Sequence, residues 1–209
     1  MFKKSMLIAI FAAFTMTTQS QDISFGLKVG SNFSTITGND NYDYDTTTGL
    51  HGGLVAQVKL SDKFSVQPEV IYSLQGGKNG YDPFYDVDFE TKNTSLKLGY
   101  INVPVLAEYF ITSGLSAQLG PQIGFLVNNK FEVEYNYQGE DRKMDNSLNN
   151  STNDLDFALA GGLEYQLSIG IFFDARYNLG LSNISENNRG EIGPDAYNST
   201  FQLSVGYMF

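Results

Sequence analysis

The last nine residues, Phe201-Gln-Leu-Ser-Val-Gly-Tyr-Met-Phe209, alternate strictly between two kinds of side chain. Every odd position from Phe201 to Phe209 is apolar, and the residues between them are small, polar or flexible. Such alternation predicts a β-strand with one apolar face and one different face. In a soluble protein, a strand of this kind ending on an aromatic would be an exposed, adhesive edge. It suits a strand that closes a barrel within lipid, with its last aromatic side chain at the membrane interface.

The same alternation recurs in seven earlier stretches. With the closing one, the predicted strands cover about residues 23–33, 49–60, 64–75, 95–110, 115–127, 155–167, 171–182 and 198–209. Short connections at 61–63, 111–114 and 168–170 alternate with long ones at 34–48, 76–94, 129–153 and 185–197. Tight turns at one end and long loops at the other are typical of outer-membrane barrels. The sequence therefore predicts an all-β fold, an eight-stranded antiparallel up-and-down transmembrane β-barrel.

The fourth predicted strand is irregular. Its apolar side chains occupy even positions from Leu96 to Tyr100 and odd positions from Ile101 onward. A β-bulge near Gly99-Tyr100 would shift the phase by one residue and keep these side chains on one face. We therefore predict a bulge in this strand.

The fifth predicted strand continues beyond its apolar part. The odd positions Phe131, Val133, Tyr135 and Tyr137 keep the same parity but alternate with charged residues. This pattern predicts a strand that projects beyond the membrane into a polar hairpin. A loop is predicted from Gly139 to Asn153.

The apolar faces of the strands admit two interpretations. In a soluble, lipocalin-like barrel they would point inward, and in a membrane barrel they would point to lipid. Lipid is favoured because long loops lie at one end only, and because the other face is rich in glycine and short polar residues, which suit a crowded lumen. Large aromatics also repeat near the strand ends. The predicted periplasmic girdle contains Phe25, Phe64, Tyr109, Tyr165, Phe173, Tyr207 and Phe209.

The first twenty residues have the layout of a secretory signal peptide. Lys3 and Lys4 precede an apolar run from Met6 to Met16, and small residues precede a cleavage site at Gln21. We predict a signal peptide at 1–20 and a barrel domain at 21–209. No later segment approaches 18 consecutive apolar residues, so no membrane helix is predicted. The chain contains no cysteine, which excludes a lipoprotein anchor, disulfides and thiolate metal sites.

The formal net charge is −10, and loss of the two leader lysines would make the mature chain more acidic. This charge argues against nucleic acid as a partner. All four long loops are acidic. Asp40, Asp43 and Asp45 offer oxygen ligands suited to calcium, but their spacing matches no EF-hand loop, so a solvated loop is favoured. No cofactor or metal site is predicted.

Charged side chains recur on the face predicted to line the lumen. An eight-stranded barrel is only wide enough for side chains to fill, so buried charges there must pair. Lys28 and Arg176 are the expected partners of the carboxylates. The predicted structural network consists of Lys28, Glu69, Glu108, Glu164, Asp174 and Arg176, and Lys59, Lys97 and His51 are assigned to the same face. A proton or ion path is the alternative role for these groups.

Five phrases stand out on the predicted strands: Gly26-Leu-Lys-Val-Gly-Ser-Asn32, Val66-Gln-Pro-Glu-Val-Ile-Tyr72, Tyr100-Ile-Asn-Val-Pro-Val105, Gly120-Pro-Gln-Ile-Gly124 and Asp174-Ala-Arg-Tyr-Asn-Leu-Gly-Leu181. They resemble the PorT-like family, small porin-like outer-membrane barrel proteins of Bacteroidetes. The resemblance covers essentially the whole predicted mature chain and implies a small outer-membrane barrel. The namesake of the group is linked to protein secretion by the type IX route, so an accessory role in secretion is an implied alternative.

Catalysis has little support in the sequence. His51 is the only histidine, and a Ser/His/acid site would need it beside residues such as Ser73 and Asp156, predicted at comparable heights on other strands. No motif accompanies them, and a lone histidine is more often structural. We therefore predict no enzyme and no catalytic residue, with a lipid-modifying outer-membrane enzyme as a minor alternative.

We expect a structural or interaction component of the cell envelope in the bacterial outer membrane, with a side-chain-filled lumen and long acidic exterior loops. Its expected partners are membrane lipids, lipopolysaccharide and envelope proteins that contact those loops. The barrel is expected to be monomeric. A narrow channel for ions or small solutes is the main alternative, which conductance in planar bilayers would distinguish.

Overall fold

The computed structural model describes residues 22–38, 45–78, 90–137, 140–146, 152–185 and 196–209. These residues form nine β-strands: β1 (Ile23–Gly38), β2 (Thr47–Lys59), β3 (Phe64–Lys78), β4 (Glu90–Phe110), β5 (Leu115–Tyr137), β6 (Glu140–Asn146), β7 (Leu155–Gln166), β8 (Ile171–Gly180) and β9 (Ala196–Met208). No helix in these ranges is long and apolar enough to cross a membrane. The predicted signal peptide lies outside the described residues.

Eight of these strands form a closed ring. Each is antiparallel to its neighbours, in the order β1, β2, β3, β4, β5, β7, β8, β9 and back to β1. The ladder that closes the ring runs from the Gly26–Met208 pair to the Gly38–Ala196 pair. Strand β6 lies outside the ring and pairs with the far end of β5, over residues 131–137. The predicted eight-stranded up-and-down barrel is confirmed, with one added hairpin strand.

Most of the large apolar side chains point away from the barrel axis. On β9, Leu203 and Val205 are 46% and 43% exposed, whereas Gln202 and Ser204 beside them are buried. All residues of the predicted aromatic girdle are exposed too: Phe25, Phe64, Tyr109, Tyr165, Phe173, Tyr207 and Phe209. A continuous apolar exterior of this kind suits lipid rather than water.

Three tight turns join strands at one end of the barrel. In each, a backbone amide bonds back to the first residue of the next strand: Leu60 to Phe64 at 2.9 Å, Ile111 to Leu115 at 2.8 Å and Leu167 to Ile171 at 2.7 Å. The third turn contains Gly170 at φ +89°, a conformation that glycine adopts without steric cost. The predicted turns at 61–63, 111–114 and 168–170 agree with these to within one residue.

At the opposite end the strands extend further than predicted. β1 continues to Gly38, β2 begins at Thr47 and β4 begins at Glu90, so parts of the predicted loops are strand. The predicted loop from Gly139 to Asn153 was wrong at β6, although the projecting hairpin itself is confirmed. Polar side chains concealed these extensions, because a backbone ladder needs no apolar face once it has left lipid. The segments 39–44, 79–89, 147–151 and 186–195 of the predicted loops lie outside the described residues.

The predicted bulge is present, but on the neighbouring strand. The β4–β5 register passes from the Gly99–Asn128 pair to the Tyr100–Leu126 pair. The extra residue is therefore Val127 of β5. Strand β4 keeps one phase from Asn93 to Phe110, and a second register shift lies between Thr91 and Asn93.

This location reverses the faces assigned to two groups of side chains. Leu96, Leu98 and Tyr100 are fully buried inside the barrel, so their assignment to the lipid face was wrong. The bulge inverts the phase of β5 instead, and Phe131 and Val133 are buried inside as well. The sequence pattern was misleading because the barrel interior itself becomes apolar at this level.

The close approach of β9 to Phe172 leaves no room for a side chain at Gly206. A Cβ there would lie 2.2 Å from the Phe172 ring and 2.5 Å from the Leu27 carbonyl oxygen, and Phe172 is fully buried. We expect Gly206→Ala to destabilise the barrel by about 1–3 kcal/mol, measured by urea unfolding in lipid vesicles. Gly161→Ala is the matched control, since the nearest contact of its Cβ is the Leu119 side chain at 3.3 Å. Equal losses in the two variants would contradict this account.

Candidate functional site

Four charged side chains meet inside the barrel, and we call them the charge cluster. The Arg176 guanidinium donates two parallel bonds to the Glu69 carboxylate, Nη1 to Oε2 and Nη2 to Oε1, both at 2.9 Å. Its Nη2 also donates to Asp174 Oδ2 at 3.0 Å. Lys28 Nζ lies 3.0 Å from Glu69 Oε2 and 3.5 Å from Asp174 Oδ1. All four residues are buried.

Strand geometry brings these groups together. Asp174 and Arg176 are two residues apart on β8, so both face the lumen. Lys28 comes from β1 and Glu69 from β3, on the other side of β9. A planar guanidinium matches a carboxylate bidentately, which an ammonium cannot do. Two cations and two carboxylates therefore neutralise each other where water is excluded.

Glu108, assigned to the same network from the sequence, has neutral partners instead. It accepts hydrogen bonds from Ser65 Oγ and Ser116 Oγ, both at 2.5 Å, and from Gln57 Nε2 at 2.8 Å. Three donors from three strands replace the water that this carboxylate loses on burial. The structure does not bring Glu108 into an ion pair with Lys28 or with the arginine of the charge cluster.

Glu164 is linked to the charge cluster through two glutamines. Its Oε2 accepts from Gln67 Nε2 at 3.3 Å and from Gln118 Nε2 at 3.0 Å. Gln67 also donates to Glu69 at 2.9 Å, and Arg176 donates to Gln118 Oε1 at 2.7 Å. Sequence reasoning missed both glutamines, although each occupies an inward position of its strand.

Two further lysines were assigned to the lumen face. Lys59 keeps the inward register, opposite the buried Ser65, but is exposed at the end of β2 beside a tight turn. Lys97 is on the outer face of β4, because its neighbours Leu96 and Leu98 face inward. Its side chain is 58% exposed and pairs with Glu132 at 2.6 Å. Its assignment to the lumen was wrong because the phase slip predicted in β4 does not occur.

His51 is buried between two polar side chains. Its Nδ1 lies 2.8 Å from Asn32 Oδ1, and its Nε2 lies 2.8 Å from Ser204 Oγ. The Asn32 amide nitrogen donates to Ser73 Oγ and to the Leu74 carbonyl oxygen, at 2.9 and 2.7 Å, which turns its oxygen toward the imidazole. This orientation places the proton of neutral His51 on Nδ1. His51 Nε2, at 2.8 Å, and Asp174 Oδ1, at 3.2 Å, are then two acceptors for the single hydroxyl proton of Ser204.

The triad considered from the sequence does not form. Ser73 is the cross-strand neighbour of His51, but its hydroxyl accepts from Asn32. Asp156 accepts from the Ser182 hydroxyl at 2.8 Å. Neither side chain is hydrogen-bonded to the imidazole, whose partners are Asn32 and Ser204.

Ser204, His51 and Asn32 instead have the hydroxyl–imidazole–amide order seen in nucleophilic sites. The sequence does not reveal this order, because the three residues lie on β9, β2 and β1. Ser204 is buried, and its hydroxyl lies 3.2 Å from Asp174 Oδ1. That carboxylate opposes the negative charge that would develop on a substrate carbonyl oxygen. The surroundings thus disfavour nucleophilic catalysis.

An apolar cluster, which we call the apolar cap, fills the interior on the long-loop side of the charge cluster. Leu126 and Tyr135 pack against it. Its buried members are Ile36, Leu96, Leu98, Tyr100, Phe131, Val133, Ile184 and Ala196. The interior is thus apolar toward the long loops and polar around the charge cluster, and a second apolar cluster, Val55, Phe172 and Met208, lies toward the tight turns.

No metal site is evident in the part of the chain that the structure describes. No three His, Asp or Glu side chains there group closely enough to hold an ion. Of the aspartates considered for calcium, Asp40 and Asp43 lie outside the described residues. Asp45 forms a backbone bridge with Lys78, with bonds of 2.8 and 3.1 Å.

Comparison with known proteins agrees with this architecture. Residues 18–186 match the family model described as "Outer membrane protein beta-barrel domain". The chain belongs to this outer-membrane β-barrel family. A comparison with curated proteins gave no match.

Solved structures similar to this outer-membrane barrel have low sequence identity. Neisserial surface protein A (NspA) is 14% identical, with TM-score 0.53, over 90% of this chain and 99% of that chain. A major outer membrane protein from Thermus thermophilus is 13% identical, with TM-score 0.50, over 90% and 100%. Ail, the attachment invasion locus protein of Yersinia pestis, is 17% identical, with TM-score 0.47, over 90% and 99%. At these identities the similarity concerns the fold alone.

Beyond the membrane, β4, β5 and β6 of this outer-membrane barrel form a three-stranded extension. On its outer face, Glu132 Oε2 lies 2.6 Å from Lys97 Nζ and 3.3 Å from Lys143 Nζ. The hydrogen bond from Lys97 is the main cause that lowers the pKa of Glu132, and partial burial opposes it. Charge pairing here is peripheral, unlike the pairing in the lumen.

Removal of the guanidinium tests how much the charge cluster contributes to the stability of the barrel. In Arg176→Met, Glu69 and Asp174 would keep only Lys28 as a cationic partner. We expect a loss of about 3–5 kcal/mol in the free energy of unfolding, measured by urea titration in lipid vesicles. Arg142→Met is the control, because the Arg142–Glu140 pair is exposed and its loss costs about 0.5 kcal/mol or less. Similar losses in the free energy of unfolding at both positions would refute the assignment of Arg176 to a buried, stabilising ion-pair network.

The exterior pair predicts a pH-dependent coupling. Because the folded-state pKa of Glu132 is lowered, its stabilising contribution is present above the unfolded-state pKa of about 4.3 and is lost as the pH falls through the folded-state pKa. A double-mutant cycle with Lys97→Gln and Glu132→Gln should give a coupling free energy of about 0.3–1 kcal/mol at neutral pH. The coupling should fade in acid. Coupling that is unchanged once the carboxylate is protonated would show that another interaction joins the two residues.

Proposed function

We propose that this outer-membrane barrel is a non-enzymatic structural or interaction component of the cell envelope with a non-conducting lumen. The filling of the barrel interior carries the proposal. Ion pairs cross the lumen at the charge cluster, where Arg176 and Lys28 reach Glu69 and Asp174 from different strands. An eight-stranded ring leaves little space beyond that occupied by side chains.

The apolar cap adds a second barrier. Fully buried aliphatic side chains such as Ile36, Leu98 and Ile184 meet in the interior on the long-loop side. An apolar constriction excludes water, so an ion would have to enter it without hydration. A polar obstacle and an apolar one in series support a closed barrel better than a conducting one.

The exterior supports an interaction role. The β5–β6 hairpin continues the barrel wall beyond the apolar band and exposes charged residues such as Glu134 and Arg142. We place envelope protein partners at this extension and at the acidic loops, and membrane lipids with lipopolysaccharide around the wall. Cleavage of residues 1–20 as a signal peptide, membership of the PorT-like group and a monomeric state are parts of the same proposal.

A narrow path for protons or ions is the second candidate, and one observation favours it. Hydrogen-bonded side chains form an unbroken series along the lumen from Glu164 to Asn198. The series passes through Gln67, Glu69, Arg176, Asp174, Ser204, His51, Asn32, Ser73 and Gln75. The carboxylates, the hydroxyls and His51 of this series exchange protons, and water would have to bridge its amides and its guanidinium for a complete relay. Conduction of other ions would require the ion pairs and the apolar cap to separate.

Single-channel recording distinguishes the two candidates. Wild-type protein inserted into planar bilayers in concentrated potassium chloride should give no openings above the protein-free background, because the lumen is filled. Insertion can be verified in parallel by the heat-dependent gel mobility of the recovered protein. Regular, discrete openings of the wild-type protein would overturn the non-conducting assignment and favour the channel.

A further inference from the structure

Basic side chains are distributed unevenly over the outside of the barrel. Two described cations belong to the charge cluster, and Lys59 and Lys63 lie beside a tight turn. The other described cationic side chains all lie on β3 to β6, toward the long-loop end: Lys78, Lys97, Lys130, Arg142 and Lys143. The same end also carries Glu132, Glu134, Glu140 and Asp141, and Asp45 forms a backbone bridge with Lys78, so the charges there are mixed and the position of each cation relative to the carboxylates decides its compensation.

Three of these lysines form a compact group on adjacent strands, which we call the lysine patch. Lys97 of β4 and Lys130 of β5 are directly opposite in register, which places their Cβ atoms about 5 Å apart. Lys78 of β3 lies on the diagonal from Lys97, since Lys97 pairs with Gly76, two residues before Lys78. Such diagonal neighbours are about 7–8 Å apart. All three side chains are exposed.

The charge of the lysine patch is incompletely compensated by the protein. Like charges directly opposite on neighbouring strands repel and destabilise the pair. Glu132 offsets Lys97 and is shared with Lys143. In the described part of the chain, no carboxylate lies within ion-pair distance of the Lys78 or Lys130 ammonium groups. An external anion would relieve this repulsion.

The lysine patch continues the lipid-facing surface. On the same three strands, the nearest outward apolar side chains on the membrane side are Leu74, Ile101 and Val127, all exposed. The exposed, polar Asn128 lies between Val127 and Lys130. The lysines follow three or four residues further toward the loops. At about 3.3 Å per residue and a tilt near 45°, this places them roughly 7–9 Å higher along the membrane normal, in the headgroup layer. Their aliphatic stems can lie along the apolar surface while the ammonium groups reach the headgroups.

We propose that the lysine patch binds the phosphate groups of an anionic lipid of the exterior leaflet, of the bisphosphorylated type found in lipid A. Ammonium groups bind phosphate as point charges, and three of them on adjacent strands, with successive Cβ atoms about 5 and 7–8 Å apart, suit a headgroup with two phosphates. This inference rests on the proposed lipid surroundings of the barrel and adds the residues that contact the lipid. It predicts that the anionic lipid binds preferentially on the β3–β5 side of the barrel.

The test compares lipid binding by two charge-matched double variants. Folded protein in neutral detergent is titrated with bisphosphorylated lipid A, or with lipid A from which both phosphates have been removed, and bound lipid is counted by native mass spectrometry. Lys97→Gln/Lys130→Gln should weaken binding of the phosphorylated lipid about 30-fold, near fivefold for each lysine. The control, Lys59→Gln/Lys63→Gln, removes the same charge near the tight turns and should bind like wild type. All three proteins should bind the dephosphorylated lipid weakly and equally.

A further double variant shows whether the glutamine variant loses binding only because it misfolds. Lys97→Arg/Lys130→Arg preserves the charge and should retain wild-type affinity. Unchanged affinity in the glutamine variant, or an equal loss in the control, would overturn the proposal. Displacement of the lipid by millimolar inorganic phosphate would also overturn it, because the site would then take the free anion. The conductance experiment is independent: an open wild-type channel would refute the proposed function and leave this binding test intact.

Discussion

The ladder between β1 and β9 is the constraint on which the rest of the structure depends. In hydrocarbon no water can satisfy an open strand edge, and each unpaired backbone group costs several kcal/mol. Pairing from Gly26–Met208 to Gly38–Ala196 removes that edge and turns a sheet into a ring. Once the ring is closed, every strand has one side in lipid and the other in an enclosed interior. The inversion of apolar and polar faces follows directly.

The narrow interior contains buried charged groups that have to be neutralised or hydrogen-bonded without water. Carboxylates cannot keep a water shell there, so each receives protein donors in place of water. Glu69 and Asp174 receive cations, whereas Glu108 and Glu164 receive hydroxyls and amides. His51 is held in one tautomer by the same network. These contacts make the polar half of the barrel a cross-linked body rather than a pore, and the apolar cap completes it on the other side.

Outside the membrane the same backbone ladders continue, but their side chains no longer need an apolar outer face. Strands β4 and β5 extend past the apolar band with polar and charged side chains, because solvent tolerates both faces. The bulge at Val127 exchanges the two faces of β5, which turns Phe131 into the apolar cap and leaves Lys130 outside. One extra residue therefore helps to build the closed interior and the lysine patch at the headgroup level.

The sequence by itself determined the number of strands in the ring, the positions of the tight turns and the side that faces lipid. Each of these is encoded locally, in the alternation of neighbouring side chains and in the turn residues between them. It also indicated which polar positions, such as Glu69 and Arg176, share the inner side. Only the tertiary structure decided which of these groups meet and where the phase changes. Alternation in β4 alone cannot distinguish a strand that slips by one residue from an interior that becomes apolar, and the pairing of Gly99 with Asn128 resolved it. Likewise, no local pattern shows that Arg176 reaches Glu69 rather than Glu164. Partners across a barrel are selected by strand tilt and register around the whole ring, a property that no single strand contains.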